Sequence, residues 1–169
     1  MTFASSLPAI ERPAESAEPF RIVLVEDNED DVLILRRAIA ASGEAVVLHR
    51  AADGAEAFDS VSRRAFPGLR EQETPWPPDL IIVDLALPGL SGFAVIERLR
   101  GEPSLDYTPV VVLSGTDNPR DQDRSLELGV HTHLRKPIRP RELAWMVESI
   151  RGYRSRIGRL DALAMAEAA

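Results

Sequence analysis

Cysteine is absent from all 169 residues, which excludes disulfides, thiol catalysis and thiolate metal sites and fits a reducing cytoplasm. No apolar run approaches the roughly 18 residues that a membrane helix needs. Residues 1–19 also lack the basic start and apolar middle of a signal peptide. The expectation is a cytoplasmic protein without a membrane partner. Positive charge is in deficit: 20 Lys and Arg stand against 27 Asp and Glu, a formal charge of -7. No strong field draws nucleic-acid phosphates, so no nucleic-acid partner is expected. No internal repeat is present, and Val25 to Asn28 offers no Gly-rich turn for the pyrophosphate of a dinucleotide. What remains is an ordinary globular composition, 44% hydrophobic, with apolar material for one sizeable core.

The opening stretch MTFASSLPAIERPAESAEP mixes Ala, Ser, Pro and Glu without a sustained period, so it cannot bury enough surface to offset its ordering entropy. A flexible arm over 1–19, a folded domain over 20–154 and a C-terminal tail over 155–169, able to form helix, are expected. From Arg21 onward apolar strands alternate with amphipathic helices. Ile22 to Val25 is β-rich; Val32, Leu35 and Ile39 recur at helical spacing before the stop at Gly43. A second strand and helix occupy Ala45 to Arg50 and Gly54 to Arg64. Leu80 to Val83 and Val110 to Leu113 read as central parallel strands covered on both faces. Helices are expected over Gly92 to Arg100, over Asn118-Pro119 to Leu128, and from Pro140 onward, with the fifth strand over Val130 to Arg135. Strands and helices in alternation specify an α/β doubly wound parallel sheet, because parallel strands need right-handed crossovers. The Pro-rich, charged stretch 65–78 is a long connection of the kind that often carries function.

In such a sheet ligands bind beyond the carboxyl ends of the strands. Strand one ends in Glu26-Asp27, strand three in Asp84, strand four in Ser114 and strand five in Lys136-Pro137. Acids, a hydroxyl and an amine therefore converge on one rim. Carboxylates gathered there repel unless a cation neutralises them, and oxygen ligands without sulfur point to Mg²⁺ or Mn²⁺. Metal and ammonium around an acidic side chain suit phosphoryl transfer.

The segments LVEDN (24–28), PDLIIVDLALPGLSG (78–92), PVVVLSG (109–115) and LRKP (134–137) resemble, in order and spacing, the receiver domain of bacterial two-component response regulators. The resemblance covers roughly Arg21 to Tyr153. It implies a flavodoxin-like sheet of order 2-1-3-4-5 with five helices, and a phosphoacceptor at Asp84 that attacks a phosphohistidine on a sensor histidine kinase. It further implies Mg²⁺ held by Glu26, Asp27, Asp84 and the backbone carbonyl of Ala86, with Ser114 and Lys136 binding phosphoryl oxygens. The acidic pair, the long connection and the RRA helix look most like short single-domain regulators partnering phytochrome-type kinases. His133 stands where many receivers carry a Phe or Tyr switch, which puts the aromatic switching motion in doubt. Ser91 stands before Gly92 where Asp is commoner.

Blander readings accompany these. Glu29, Asp30 and Asp31 read as acids complementing a helix dipole rather than as ligands. Ser114 could simply bond its own turn. His131 and His133, two apart on a strand, lack a third ligand for a metal site, and the Arg151 to Arg159 series reads as a solvated helix face. Leu143, Met146, Val147 and Ile150 share one side of helix five, whereas Trp145 falls opposite, with Arg141 and Glu148. Trp145 either marks a homodimer surface built from helix four, strand five and helix five or lies over the chain's own tail. A Mg²⁺-dependent phosphohydrolase would need an acid two residues after Asp84, where Ala86 stands. A scaffold without phosphoryl chemistry would not need Asp27, Asp84 and Lys136. The expected protein is a phosphoacceptor signalling domain with slow self-dephosphorylation and no DNA-binding output segment, rather than an enzyme.

Overall fold

The computed structural model describes residues 19–62 and 77–167; the expected arm before Pro19 and most of the 65–78 connection lie outside them. The elements run β1 (Phe20–Val25), α1 (Glu29–Ser42), β2 (Val46–Ala51), α2 (Gly54–Ser62), β3 (Leu80–Asp84), α3 (Gly92–Arg100), a 3-10 turn (Pro103–Leu105), β4 (Val110–Ser114), α4 (Pro119–Glu127), β5 (Thr132–Arg135) and α5 (Pro140–Glu167). All strand pairs are parallel, in the order β2-β1-β3-β4-β5, the doubly wound sheet expected from the pattern.

β1, β3 and β4 are apolar throughout because both faces of each are covered, and successive side chains go to opposite sides. Ile22, Leu24, Ile82 and Val111 pack with Leu35 of α1 and with Leu143 and Val147 of α5. Val23, Val25, Val83 and Val112 pack on the other face with Phe58 of α2 and with Val95 and Ile96 of α3. The edge strands β2 and β5 are only half-buried. Asn28 caps α1 by accepting from the Asp30 N–H, and Asn118 caps α4 from Arg120. β5 begins later than the expected Val130. The Val130 N–H returns to the Ser125 carbonyl at 3.0 Å after Gly129 takes φ 66°, so these residues close α4 instead of extending the ladder.

At the amino end of the sheet, Asp79 accepts from Arg21 Nε at 2.9 Å, Nη2 at 3.0 Å and the backbone N–H at 2.8 Å. This buried two-pronged pair ties β1 to the entry of β3 and explains how the core admits both charges. α5 continues past Tyr153 to Glu167 without a break. No helix among the described residues is long and apolar enough to cross a membrane. The strand order reverses between β1 and β3, so a crevice opens beyond their carboxyl ends.

Candidate functional site

Glu26 follows β1 and is 1% exposed, yet each of its polar groups has a partner. Its N–H donates to the Ala51 carbonyl at 3.0 Å and its carbonyl accepts from Arg50 Nε at 2.9 Å. Its carboxylate accepts from the Asn28 N–H at 3.0 Å and from Lys136 Nζ at 2.6 Å. Burial pushes the Glu26 carboxyl above its usual range, against the pull of Lys136 and the Asn28 N–H.

Asp84 closes β3 and is 4% exposed. The Ala86 N–H donates to Oδ1 at 3.1 Å and Lys136 Nζ to Oδ2 at 2.9 Å, which sets the plane of the carboxylate. Lys136 reaches the rim from the end of β5, where its own N–H donates to the Ser114 carbonyl at 2.8 Å. Its ammonium also donates to Asp31 at 2.8 Å, so its three N–H groups serve three acids. Burial alone would depress this ammonium, but the hydrogen bonds to Asp31, Glu26 and Asp84 outweigh it and lift the pKa above the ordinary lysine value. Asp27 stands exposed at the rim. The structure thus brings Glu26, Asp27, Asp84 and Lys136 together from three strand ends.

Ser114 is buried, and its hydroxyl donates to the Thr116 carbonyl and accepts from the Thr116 N–H, both at 3.2 Å. The local turn therefore holds it. His133 on β5 is half-buried with Nδ1 3.4 Å from Ser125 Oγ of α4, and its Nε2 is buried without a partner. His131, just before β5, is exposed. Trp145 is 65% exposed on the outer side of α5, with Arg141 and Glu148 exposed beside it.

The family model described as the response regulator receiver domain matches residues 22–148. The chain belongs to this family. As a receiver domain it is 34% identical over 130 residues to the alkaline phosphatase synthesis transcriptional regulatory protein PhoP of Bacillus subtilis, covering 77% of this chain and 48% of PhoP. It is 32% identical over 135 residues to the polar-differentiation response regulator DivK of Brucella anthropi, covering 80% and 96%. The chain thus spans about half of PhoP and nearly all of DivK. Among solved structures, the phosphorylated cyanobacterial phytochrome response regulator RcpA superposes with a TM-score of 0.61 at 31% identity, over 78% of this chain and 91% of that one. The Mn²⁺-bound form of response regulator Rcp1 gives 0.58 at 32% identity, with the same coverage.

The receiver's acidic cluster suits a hard divalent ion. Glu26, Asp27 and Asp84 each offer a carboxylate oxygen, and these oxygens lie within 4.8 Å of one another. Glu26, Asp31 and Asp84 bond one ammonium and Asp27 lies within the same cluster, so negative charge is left over for a cation. Among the described residues no other group of His, Cys, Asp and Glu could hold a metal ion.

Two members of the site escaped the sequence pattern. Asp31, read as a dipole acid, lies in the first turn of α1 and meets Lys136, 105 residues away; its place beside other acids hid this contact. Arg50 on β2 bonds the acidic loop at three points, and nothing local marks it. Gly92 was legible only as a helix start. A Cβ there would sit 2.2 Å from the Asp84 carbonyl oxygen and 2.7 Å from Leu85 Cα, so only glycine lets α3 begin so close to the end of β3.

Proposed function

We propose that this receiver domain accepts a phosphoryl group on Asp84 from the phosphohistidine of a sensor histidine kinase, in a reaction that requires Mg²⁺ or Mn²⁺, and signals through an altered protein-interaction surface. The observation that carries the reading is the meeting of Asp84 with Lys136 Nζ, at 2.9 Å, inside a three-carboxylate cluster suited to a divalent ion. An oxygen of Asp84 attacks phosphorus; a P–O bond forms as the P–N bond of the donor breaks, and the imidazole leaves with a proton. Glu26, Asp27, Asp84 and the Ala86 carbonyl would hold the ion, which supplies charge stabilisation to the phosphoryl oxygens when bound. Lys136 places its positive charge on the same oxygens. Ser114 exchanges its bond to Thr116 for one to a phosphoryl oxygen, which gives the β4–α4 turn two arrangements whose populations phosphorylation shifts. Slow hydrolysis of the acyl phosphate resets the site. The residue two past Asp84 is Ala86, so no acid is placed there to drive rapid turnover, which disfavours a phosphohydrolase.

The test is incubation with acetyl phosphate and Mg²⁺ followed by intact-mass measurement. One added phosphoryl group is expected, absent when EDTA replaces Mg²⁺. Sustained release of phosphate without a phosphorylated species would favour the hydrolase, and neither outcome would leave a scaffold.

The likeness to RcpA makes a phytochrome-type kinase the partner to try first. The signalling surface is a homodimer face on α4, β5 and α5, supported by large apolar side chains left in water: Leu126 at 72%, Trp145 at 65% and Tyr153 at 54% exposed. Trp145 and Tyr153 also border a cleft of about 350 Å³ with Met146 and Ile150. Trp145→Ala is expected to convert the dimer to monomer in sedimentation velocity; an unchanged mass defeats this surface.

A further inference from the structure

We infer that Arg50 is a positioning residue for the metal-holding loop, a role that rests on the proposed Mg²⁺ site. Arg50 belongs to β2, the strand on the far side of β1 from Asp84. Its guanidinium donates through Nε to the Glu26 carbonyl at 2.9 Å and through Nη2 to the Asp27 carbonyl at 2.8 Å, while Nη1 pairs with Glu29.

Those carbonyls belong to the two peptide units on either side of the Asp27 Cα. Because peptide units are planar, one rigid guanidinium holding both oxygens sets φ and ψ of Asp27 together. Asp27 is exposed, so packing does not place its carboxylate. The fork does so by orienting the backbone, and only side-chain rotation remains. Glu26 profits as well: Ala51 takes its N–H and Arg50 its carbonyl, so β2 grips the loop through two successive residues.

A cation beside a dication site also repels, and the two effects have opposite signs. Arg50 is paired through Nη1 with Glu29, which offsets its charge at a distance, and its Nε and Nη2 donors face backbone oxygens rather than the carboxylates of Glu26 and Asp27. Positioning therefore wins. Partners one step behind metal ligands are worth roughly 10- to 100-fold in metal affinity. Lysine does not substitute, because a single ammonium lacks the planar fork that spans two carbonyls.

Isothermal titration of the full chain with Mg²⁺ tests this on wild type, Arg50→Met and Arg50→Lys. Both variants are expected to bind Mg²⁺ about 10-fold more weakly or worse. In the metal-free proteins, amide hydrogen exchange at Asp27, Asn28 and Glu29 is expected to accelerate, with β4 and α5 unchanged. Glu29→Gln keeps the fork but strips its neutralising charge, so it is expected to weaken Mg²⁺ by a smaller factor. Affinities within threefold of wild type in either folded Arg50 variant, or tighter binding in Arg50→Met, overturn the inference; Arg50→Lys serves if Arg50→Met does not fold. If wild type itself shows no saturable Mg²⁺ binding, the metal site fails, whatever Arg50 does.

Discussion

Replacing Asp84 by Asn is expected to eliminate phosphoryl uptake from acetyl phosphate completely, with no detectable mass adduct after wild type has reached its plateau. The amide preserves shape and still accepts the Ala86 N–H that now reaches Oδ1 at 3.1 Å. It lacks the anionic oxygen that the proposed function has attacking phosphorus, so the expected loss is chemical rather than a matter of fold. The variant also removes one negative charge from a cluster in which Glu26, Asp31 and Asp84 share one ammonium and Asp27 stands beside them. Its metal-free form should therefore unfold in urea at a concentration no lower than wild type. Loss of phosphoryl uptake with undiminished stability is the combined signature. A full phosphoryl adduct on Asp84→Asn would move the acceptor elsewhere and sink the reading.

Lys136→Met carries the second large effect. It keeps most of the side-chain volume but removes the ammonium bonded to Glu26, which is 1% exposed, and to Asp84. Truncating one member of a buried charge group leaves the others uncompensated and costs about 3 kcal/mol at neutral pH. The loss follows pH in a defined direction. Burial already holds the folded Glu26 carboxyl above the usual carboxylate range, and removing Lys136 raises it further. A carboxyl raised by folding binds its proton more tightly in the native state. Its penalty is therefore absent below the unfolded value and grows as pH rises through the folded one. The gap between variant and wild type should thus be widest near neutrality and should shrink as pH falls toward the unfolded carboxyl value. Millimolar Mg²⁺, which the proposed site would bind only in the native state, should return much of the lost stability. Urea unfolding across pH, with and without Mg²⁺, reads both effects; a gap that widens on acidification would contradict this account of the charge balance.

The two variants also separate roles within one cluster. Asp84→Asn removes the proposed nucleophile and lessens the cluster's excess negative charge, whereas Lys136→Met keeps the proposed nucleophile and deepens that excess. Phosphoryl uptake by Lys136→Met at saturating Mg²⁺ should persist at a reduced rate, because the proposed acceptor carboxylate is still present.

Much of this molecule was legible before any coordinates. Ile22–Val25, Leu80–Val83 and Val110–Leu113 announce buried parallel strands because two covered faces leave no room for polar alternation. Asn118 before Pro119 announces a helix start because its side chain satisfies an exposed N–H group within the first turn. These signals are local, so a linear reading finds them. Val130 shows where such a reading stops: an apolar residue before β5 is spent on closing α4, since the left-handed turn at Gly129 directs its N–H back to Ser125.

By itself the sequence determined the alternation of strands and helices and the placing of Glu26, Asp27, Asp84, Ser114 and Lys136 at strand ends, because hydrophobic period and end punctuation act over a few residues. Only the tertiary structure decided that Lys136 shares its ammonium with Asp31 as well as Glu26 and Asp84, that Ser114 bonds Thr116, and that Arg50 grips the acidic loop. Those choices depend on how far a helix or edge strand lies from the rim once the core has packed, and a long flexible side chain finds whichever acceptor that distance allows.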